Sequence, residues 1–394
     1  MRLTSIRANN FKSFKDLDIR LDNLNVLIGA NASGKSNFVQ LFTFIRDIVK
    51  EGLENAISIQ GGAKYLRNVN CGEGDNLTIE LSFEHDAGDN EPFILDLGPQ
   101  LVVRSVFHFS LAFCDGRRIS IAEDEIRMER LDGPTGSRDT FKINRVGNEF
   151  HTEGDQGDFG GLLRSFLAPV QTVDVRRPGL LIEYLPWFAT LKSIGTYDID
   201  SKAPKSSVFG RPSEIEPDAG NLATVLDKIL SDAEGRRKLM NFLKDALPFA
   251  EGLDTEALSD RSLLFHMRER FSQHAVPAAF LSDGTIDVIA LIVILYFERR
   301  SIVIIEEPER NLHPSLMPRL VEYFKDASRL KQIIITTHNP ELVRHTDPGQ
   351  LILISRDVHG YSHAERPVDR AGVKQFLHDE ISMHDLYVEN LLEV

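Results

Sequence analysis

One stretch limits what this chain can fold into more than any other: LNVLIGANASGKSNFVQLFTFIRDIV, residues 24–49. A nearly continuous apolar run, Leu24–Ile28, reads as a buried strand. After the loop, apolar residues at 38, 41, 42, 45, 48 and 49 mark one face of a helix. Between them GANASGKS, Gly29 to Ser36, matches G-x-x-x-x-G-K-[ST]. The glycines let the backbone turn its N–H groups toward an anion, and the helix N-terminus adds positive potential. Lys35 is placed to reach β- and γ-phosphates and Ser36 to hold Mg²⁺. The candidate binding residues are Gly29, Asn31, Ser33, Gly34, Lys35, Ser36 and Asn37. The plainer alternative is a glycine-rich turn that starts an ordinary helix.

A triphosphate site also needs a metal partner and a group that orders water. IVIIEEPE, Ile302 to Glu309, reads as a buried strand ending in two carboxylates, at the edge where α/β proteins bind ligands. Successive strand side chains point to opposite faces, so Glu306 and Glu307 take different tasks. Glu306 is assigned to the Mg²⁺ shell, and Glu307 to the attacking water as general base or orienting group. IIITTHNP forms another such strand end, where His338 would donate to the γ-phosphate. A solvated carboxylate pair and a packing histidine are the structural alternatives.

The segment FLSDGTIDVIALIVILYFERR, residues 280–300, contains only Asp287 as a polar residue between Ile286 and Phe297. This is shorter than the roughly 18 to 20 residues a membrane span requires. A helix apolar almost all round belongs inside a protein. By itself LSDGT reads as a serine N-cap and an Asp-Gly turn ahead of that helix.

Elsewhere the chain sets broader limits. Its 394 residues, 42% of them hydrophobic, suffice for two or three domain-sized units. A net charge of −14 argues against coating nucleic acid by charge alone, although it leaves room for a local basic groove. Cys71 and Cys114 form neither a disulfide framework nor a zinc spacing, and the N-terminus lacks the apolar centre of a secretory signal. A cytoplasmic protein is expected.

The opening residues alternate with Leu17, Ile19 and Leu21 on one side, as in a half-exposed hairpin. NLTIELSFE, PFILDLG, LVVRSVFHFSLAF and RISIAEDEIRMERL read as antiparallel strands. NLATVLDKILSDAEGRRKLMNFLKDAL is helical and ends near Pro248. From residue 301 onward, strand, helix, strand, helix, strand implies a parallel sheet. The expected organisation is residues 1–60 and 276–394 forming one head, with a β-rich region at 61–200 and a helical insertion at 201–275.

Taken in order, GANASGKS, LSDGT, IVIIEEPERNLHP and TTHNP resemble the phosphate loop, signature, acidic strand and switch histidine of ABC-type ATPases. The opening IRANNFKSFKDLDIRLDNLNVLIGANASGKSN is especially similar to the RecF/SMC/OLD-like group, predicted ATPases with an AAA domain of the AAA_21 kind. The resemblance covers about residues 1–60 and 278–355. It implies a P-loop NTPase of the ABC-ATPase head type: a mixed sheet flanked by helices, with an antiparallel β subdomain and a helical insertion.

The resemblance further implies ATP and Mg²⁺ as cofactors and a homodimer closed around ATP, with Ser282 and Gly284 capping the nucleotide of the second protomer. The catalytic set it implies is Lys35, Glu307 and His338; Asn311 and His313 become candidate interface residues. Glu306 stands where many ABC proteins have aspartate, Asp283 and Thr285 depart from the usual signature, and Gln60 is a weak match to a metal-sensing glutamine. The expected function is an ATP-hydrolysing switch serving DNA repair or anti-phage defence, beside an effector such as a nuclease or toxin, with DNA a further candidate partner and no membrane contact. Only residues 339–394 follow His338, too few for the appended nuclease domain of OLD-like proteins. An energy-coupling transporter subunit and a non-hydrolysing nucleotide-sensing scaffold are the alternatives.

Overall fold

Alternation of apolar and polar residues folds the first twenty residues into two antiparallel strands, β1 (Arg2–Phe11) and β2 (Phe14–Arg20). The computed structural model describes residues 2–68, 70, 72, 74–85, 101–114, 118–132, 138–146, 149–154, 179–184, 186–206, 214–258, 262–370, 373 and 383–389. The strand expected at PFILDLG lies outside these residues. The described strands continue with β3 (Leu24–Ile28), β4 (Leu77–His85), β5 (Leu101–Cys114), β6 (Arg118–Asp132), β7 (Arg138–Val146) and β8 (Glu149–Gly154). Then come β9 (Ile194–Tyr197), β10 (Ala250–Ala257), β11 (Leu263–Glu269), β12 (Val276–Pro277), β13 (Ile302–Glu306), β14 (Gln332–Thr337), β15 (Leu351–Arg356) and β16 (Ser362–Glu365). The longer helices are α1 (Lys35–Glu51), α2 (Leu222–Ser231), α3 (Ala233–Ala246), α4 (Asp283–Tyr296) and α5 (Met317–Ala327); the short α6 (Pro340–His345) follows β14.

The chain divides into two units, each assembled from separated stretches. The first comprises residues 1–22, 30–194 and 353–366. Its strands run in the order β8-β7-β6-β5-β4-β1-β2-β16-β15, antiparallel through β2. Register explains why one face is core: Ile6 pairs with Leu81, Leu81 with Phe107, Phe107 with Ile126 and Ile126 with Ile143. All five are buried. A slip of one residue would turn that row to solvent and bring Arg7, Glu80 and Glu125 inward. Helix α1 packs on β1 and β2 through Phe11 with Phe44 and Phe14 with Phe38, ring centroids 6.1 and 6.4 Å apart.

The second unit comprises residues 23–29, 195–352 and 367–394. Its central strands, in the order β3-β14-β13-β9, include the parallel pairs β3–β14 and β14–β13. Each of these three is buried almost throughout, with apolar residues at its centre, as suits parallel strands covered on both faces. A separate antiparallel sheet, β10-β11-β12, has β10 and β11 within the region expected to be helical, beside α2 and α3. Helix α4 is the apolar run: Ile286 through Leu295 are all buried, and Tyr296 stacks on Phe242 of α3 with centroids 3.8 Å apart. Among the described residues no helix is long and apolar enough to cross a membrane.

Candidate active site

The phosphate loop leaves β3 at Gly29 and ends where α1 begins. Gly34 has φ +119°, a left-handed value that favours glycine, and a Cβ there would lie 2.3 Å from Ser362 Oγ. The first turn of α1 carries no acidic residue and Gly34 makes no side-chain cap, so no carboxylate of that turn competes with an anion for the positive end of the helix. Lys35 is buried, and its Nζ donates to Ala30 O at 2.9 Å. Ser33 Oγ is buried without a hydrogen-bond partner. An uncapped helix start, an inward lysine and an orphaned loop hydroxyl fit a bound phosphate. Asn31 and Ser36 are exposed. The Asn37 amide instead donates to Ser13 Oγ at 2.7 Å. Gln60 donates to Thr43 of α1, at 3.4 Å.

In the second unit, register brings the chemistry-bearing strand ends to one edge. Ile28 pairs with Thr337 and Glu306 with Thr336, so Glu306 ends its strand while the start of the loop, Glu307 and His338 come directly after the C-terminal ends of adjacent parallel strands. Glu307 has φ +44° and is held by its N–H donating to Thr336 O at 2.9 Å. Its Oε1 lies 2.9 Å from His338 Nδ1, and its Oε2 accepts from Arg310 at 3.2 Å. Arg310 also donates to Asp198 at 3.0 Å. Burial raises the Glu307 pKa, but the hydrogen bonds and charges of Arg310 and His338 outweigh it and leave the carboxyl below its ordinary range. Buried Glu309 accepts from Thr337 Oγ1, which joins the acidic turn to the strand that carries His338.

Among the described residues no cluster of three or more His, Cys, Asp or Glu is placed to hold a metal. That is compatible with Mg²⁺, which commonly takes one or two protein ligands and completes its shell with phosphate and water.

Ser282 caps α4: its Oγ accepts from Thr285 N at 3.2 Å. Gly284 is required by close approach, since a Cβ would lie 2.6 Å from Asn311 O. Both residues therefore have structural tasks within their own chain. Asn311 has φ +62° and donates to Asp287 Oδ2 at 3.0 Å, tying the turn after the acidic strand to α4. His313 is exposed and caps the short turn that precedes α5.

Asp287 is 3% exposed and its Oδ1 has no hydrogen-bond partner. Burial pushes its pKa up to about 6, with Asn311 offsetting part of the shift. A carboxyl raised in the folded state gives its full stabilisation below the unfolded pKa, near 4, and loses it as pH rises through about 6. Asp287→Asn is therefore expected to stabilise the protein at pH 8 by about 2 kcal/mol and to add little near pH 4. Thermal unfolding across that range checks the sign; a gain that is the same at both ends would refute the titration.

Sequence reasoning missed Arg310 and Glu309. Their signals were the Glu-x-x-Arg spacing in EPER and a carboxylate two residues past the acidic pair. It also missed Ser13 and Ser362, for which spacing offered none.

A family model described as "AAA domain, putative AbiEii toxin, Type IV TA system" (AAA_21) matches residues 24–344. Endonuclease GajA of Bacillus cereus (strain VD045) is 19% identical over 379 residues, covering 90% of this chain and 58% of that protein. DNA replication and repair protein RecF of Desulforudis audaxviator (strain MP104C) is 47% identical over 45 residues, 11% of this chain and 12% of RecF. The chain thus spans less than two thirds of either relative. Among solved structures, an SMC head bound to the C-winged helix domain of ScpA matches with TM-score 0.47 and 14% identity, covering 93% of this chain and 97% of that one. The SMC head domain from Thermotoga maritima matches with TM-score 0.42 and 15% identity, covering 93% and 99%. With most of its length matched by the family model, the chain belongs to the AAA_21 family.

Proposed function

We propose that the chain is an ATP-hydrolysing switch that closes as a homodimer around ATP and passes this change to an effector in a DNA-related or defence process. The observation that carries the reading is the shared strand edge, where the start of the phosphate loop, Glu306, Glu307 and His338 lie at or just past neighbouring strand ends. Lys35 and the loop N–H groups would hold the phosphates. Ser36 and Glu306 would hold Mg²⁺, which when bound neutralises charge on the β- and γ-phosphates. Glu307 would position the attacking water. Because its pKa is depressed, it binds a proton weakly, and orienting the water is the larger part of its task. His338 would donate to the γ-phosphate and register its presence. In the closed dimer, Ser282 and Gly284 at the start of α4 would face the nucleotide of the second protomer. The endonuclease GajA and the repair protein RecF support a DNA-related setting and an effector such as a nuclease.

Phosphate release from MgATP and light scattering with and without MgATP test the reading together. Turnover with a nucleotide-dependent rise in mass is expected; binding without either would refute a hydrolytic switch. A finer test concerns Arg310, which holds Glu307 in its ionised form. Arg310→Ala removes a group that lowers the Glu307 pKa, so the acid limb of the pH–rate profile is expected to move to higher pH. An unmoved limb would detach Arg310 from the reacting carboxylate.

A further inference from the structure

The geometry points to Ser362, with Ser13, as a positioning residue for nucleotide binding: a hydroxyl chain that fastens the outer side of the phosphate loop to the hairpin β15–β16. This inference rests on the phosphate-loop reading and extends it to residues outside the motif.

Four groups stand in line. Asn37 Nδ2 donates to Ser13 Oγ at 2.7 Å, Ser13 Oγ and Ser362 Oγ are 2.8 Å apart, and Ser362 Oγ lies 2.6 Å from Ser33 O. The Ser362 hydroxyl is the donor toward both Ser33 O and Ser13 Oγ, and Ser13 Oγ also accepts from the Asn37 amide. One hydroxyl proton is thus shared between a loop carbonyl and Ser13, which makes Ser362 the junction between the phosphate loop and the Ser13–Asn37 contact.

The rest of the hairpin supports the same contact. Ser362 N–H donates to Ser13 O at 2.8 Å, and Ser362 is opposite Phe14 where β16 meets β2. Arg356 Nη1 donates to Ala32 O at 3.3 Å, so two successive loop carbonyls are turned toward the hairpin. In a trans peptide the N–H points opposite to the C=O. Holding Ser33 O against Ser362 therefore turns the Gly34 N–H away from the hairpin and leaves it for an anion. Ser362 is fully buried, and the lack of a Cβ at Gly34 is what lets its hydroxyl reach the loop.

Loosening this fastening should weaken phosphate binding more than the chemical step. In the full chain, Ser362→Ala is expected to raise both the Kd and the KM for MgATP about five- to tenfold while kcat changes less than twofold. Ser13→Ala should act in the same direction, and the double variant should be little worse than Ser362→Ala, because the chain is already broken. Additive losses, or a Ser362→Ala protein that is folded and binds MgATP like the unaltered protein, would overturn the inference. If Ser362→Ala fails to fold, Ser13→Ala with Ser13→Thr as its rescue decides the matter: affinity lost with alanine and regained with threonine supports the chain, and any other pattern refutes it. Lys35→Ala is the control on the underlying reading. An unaltered chain that does not bind MgATP would sink the phosphate-loop assignment itself, whereas normal binding that depends on Lys35 but not on Ser362 would sink only the fastening.

Discussion

Glu307→Gln is expected to bind MgATP, to hydrolyse it about 10²- to 10³-fold more slowly and to accumulate as the ATP-bound dimer. The argument starts from the turn that holds the side chain. Glu307 takes a left-handed φ of +44°, and its N–H is tied to Thr336 O. Its two oxygens face His338 and Arg310. Glutamine has nearly the same shape and can keep one contact through its carbonyl oxygen, so the backbone and the strand edge are expected to survive. What disappears is the negative charge proposed to order water. In the proposed reading binding depends on the loop and Lys35, so it should remain. Single-turnover hydrolysis and light scattering on the same sample separate the steps: near-normal turnover would assign the water to another residue, and lost ATP binding would show that Glu307 serves affinity instead. A protein that stops turning over and binds ATP without gaining mass would keep the carboxylate's role and remove dimer closure.

Much of the path to that residue was legible because it is written in short-range patterns. Buried parallel strands must be apolar on both faces, which made IVIIE and QIIITT readable as strands with chemistry just past their ends. Alternation at Leu17, Ile19 and Leu21 revealed the core face of β2 and the residue beyond it. The all-round apolar character of α4 identified a buried helix, although nothing in it announced the tie from Asp287 to Asn311. Less was visible where the signal is long-range. Ser362 and Ser33 are 329 positions apart and meet through a hydroxyl and a backbone carbonyl, neither of which leaves a periodic mark. The sheet β10-β11-β12 was hidden for a related reason. Its strands carry several exposed charged residues, and one stabilising neighbour, α2, is defined by tertiary packing.

Lys35→Ala is expected to reduce nucleotide affinity by roughly 10²- to 10³-fold, which removes turnover at any ordinary ATP concentration. Lys35 is the first residue of α1, and its side chain curls back along the loop to donate to Ala30 O. Alanine is a strong helix former, and Ala30 is exposed enough for water to replace the lost donor, so folding should change little. The loss falls instead on charge. The phosphates would then be bound by backbone N–H groups and a helix terminus without the neighbouring ammonium, and a half-dry site magnifies that deficit. Calorimetric titration with MgATP, alongside the melting temperature, separates the two effects. Lost binding in a protein that melts normally places Lys35 on the phosphates. Tight binding by the same variant would return GANASGKS to a turn that starts a helix, and the chemistry at Glu307 and His338 would need another substrate.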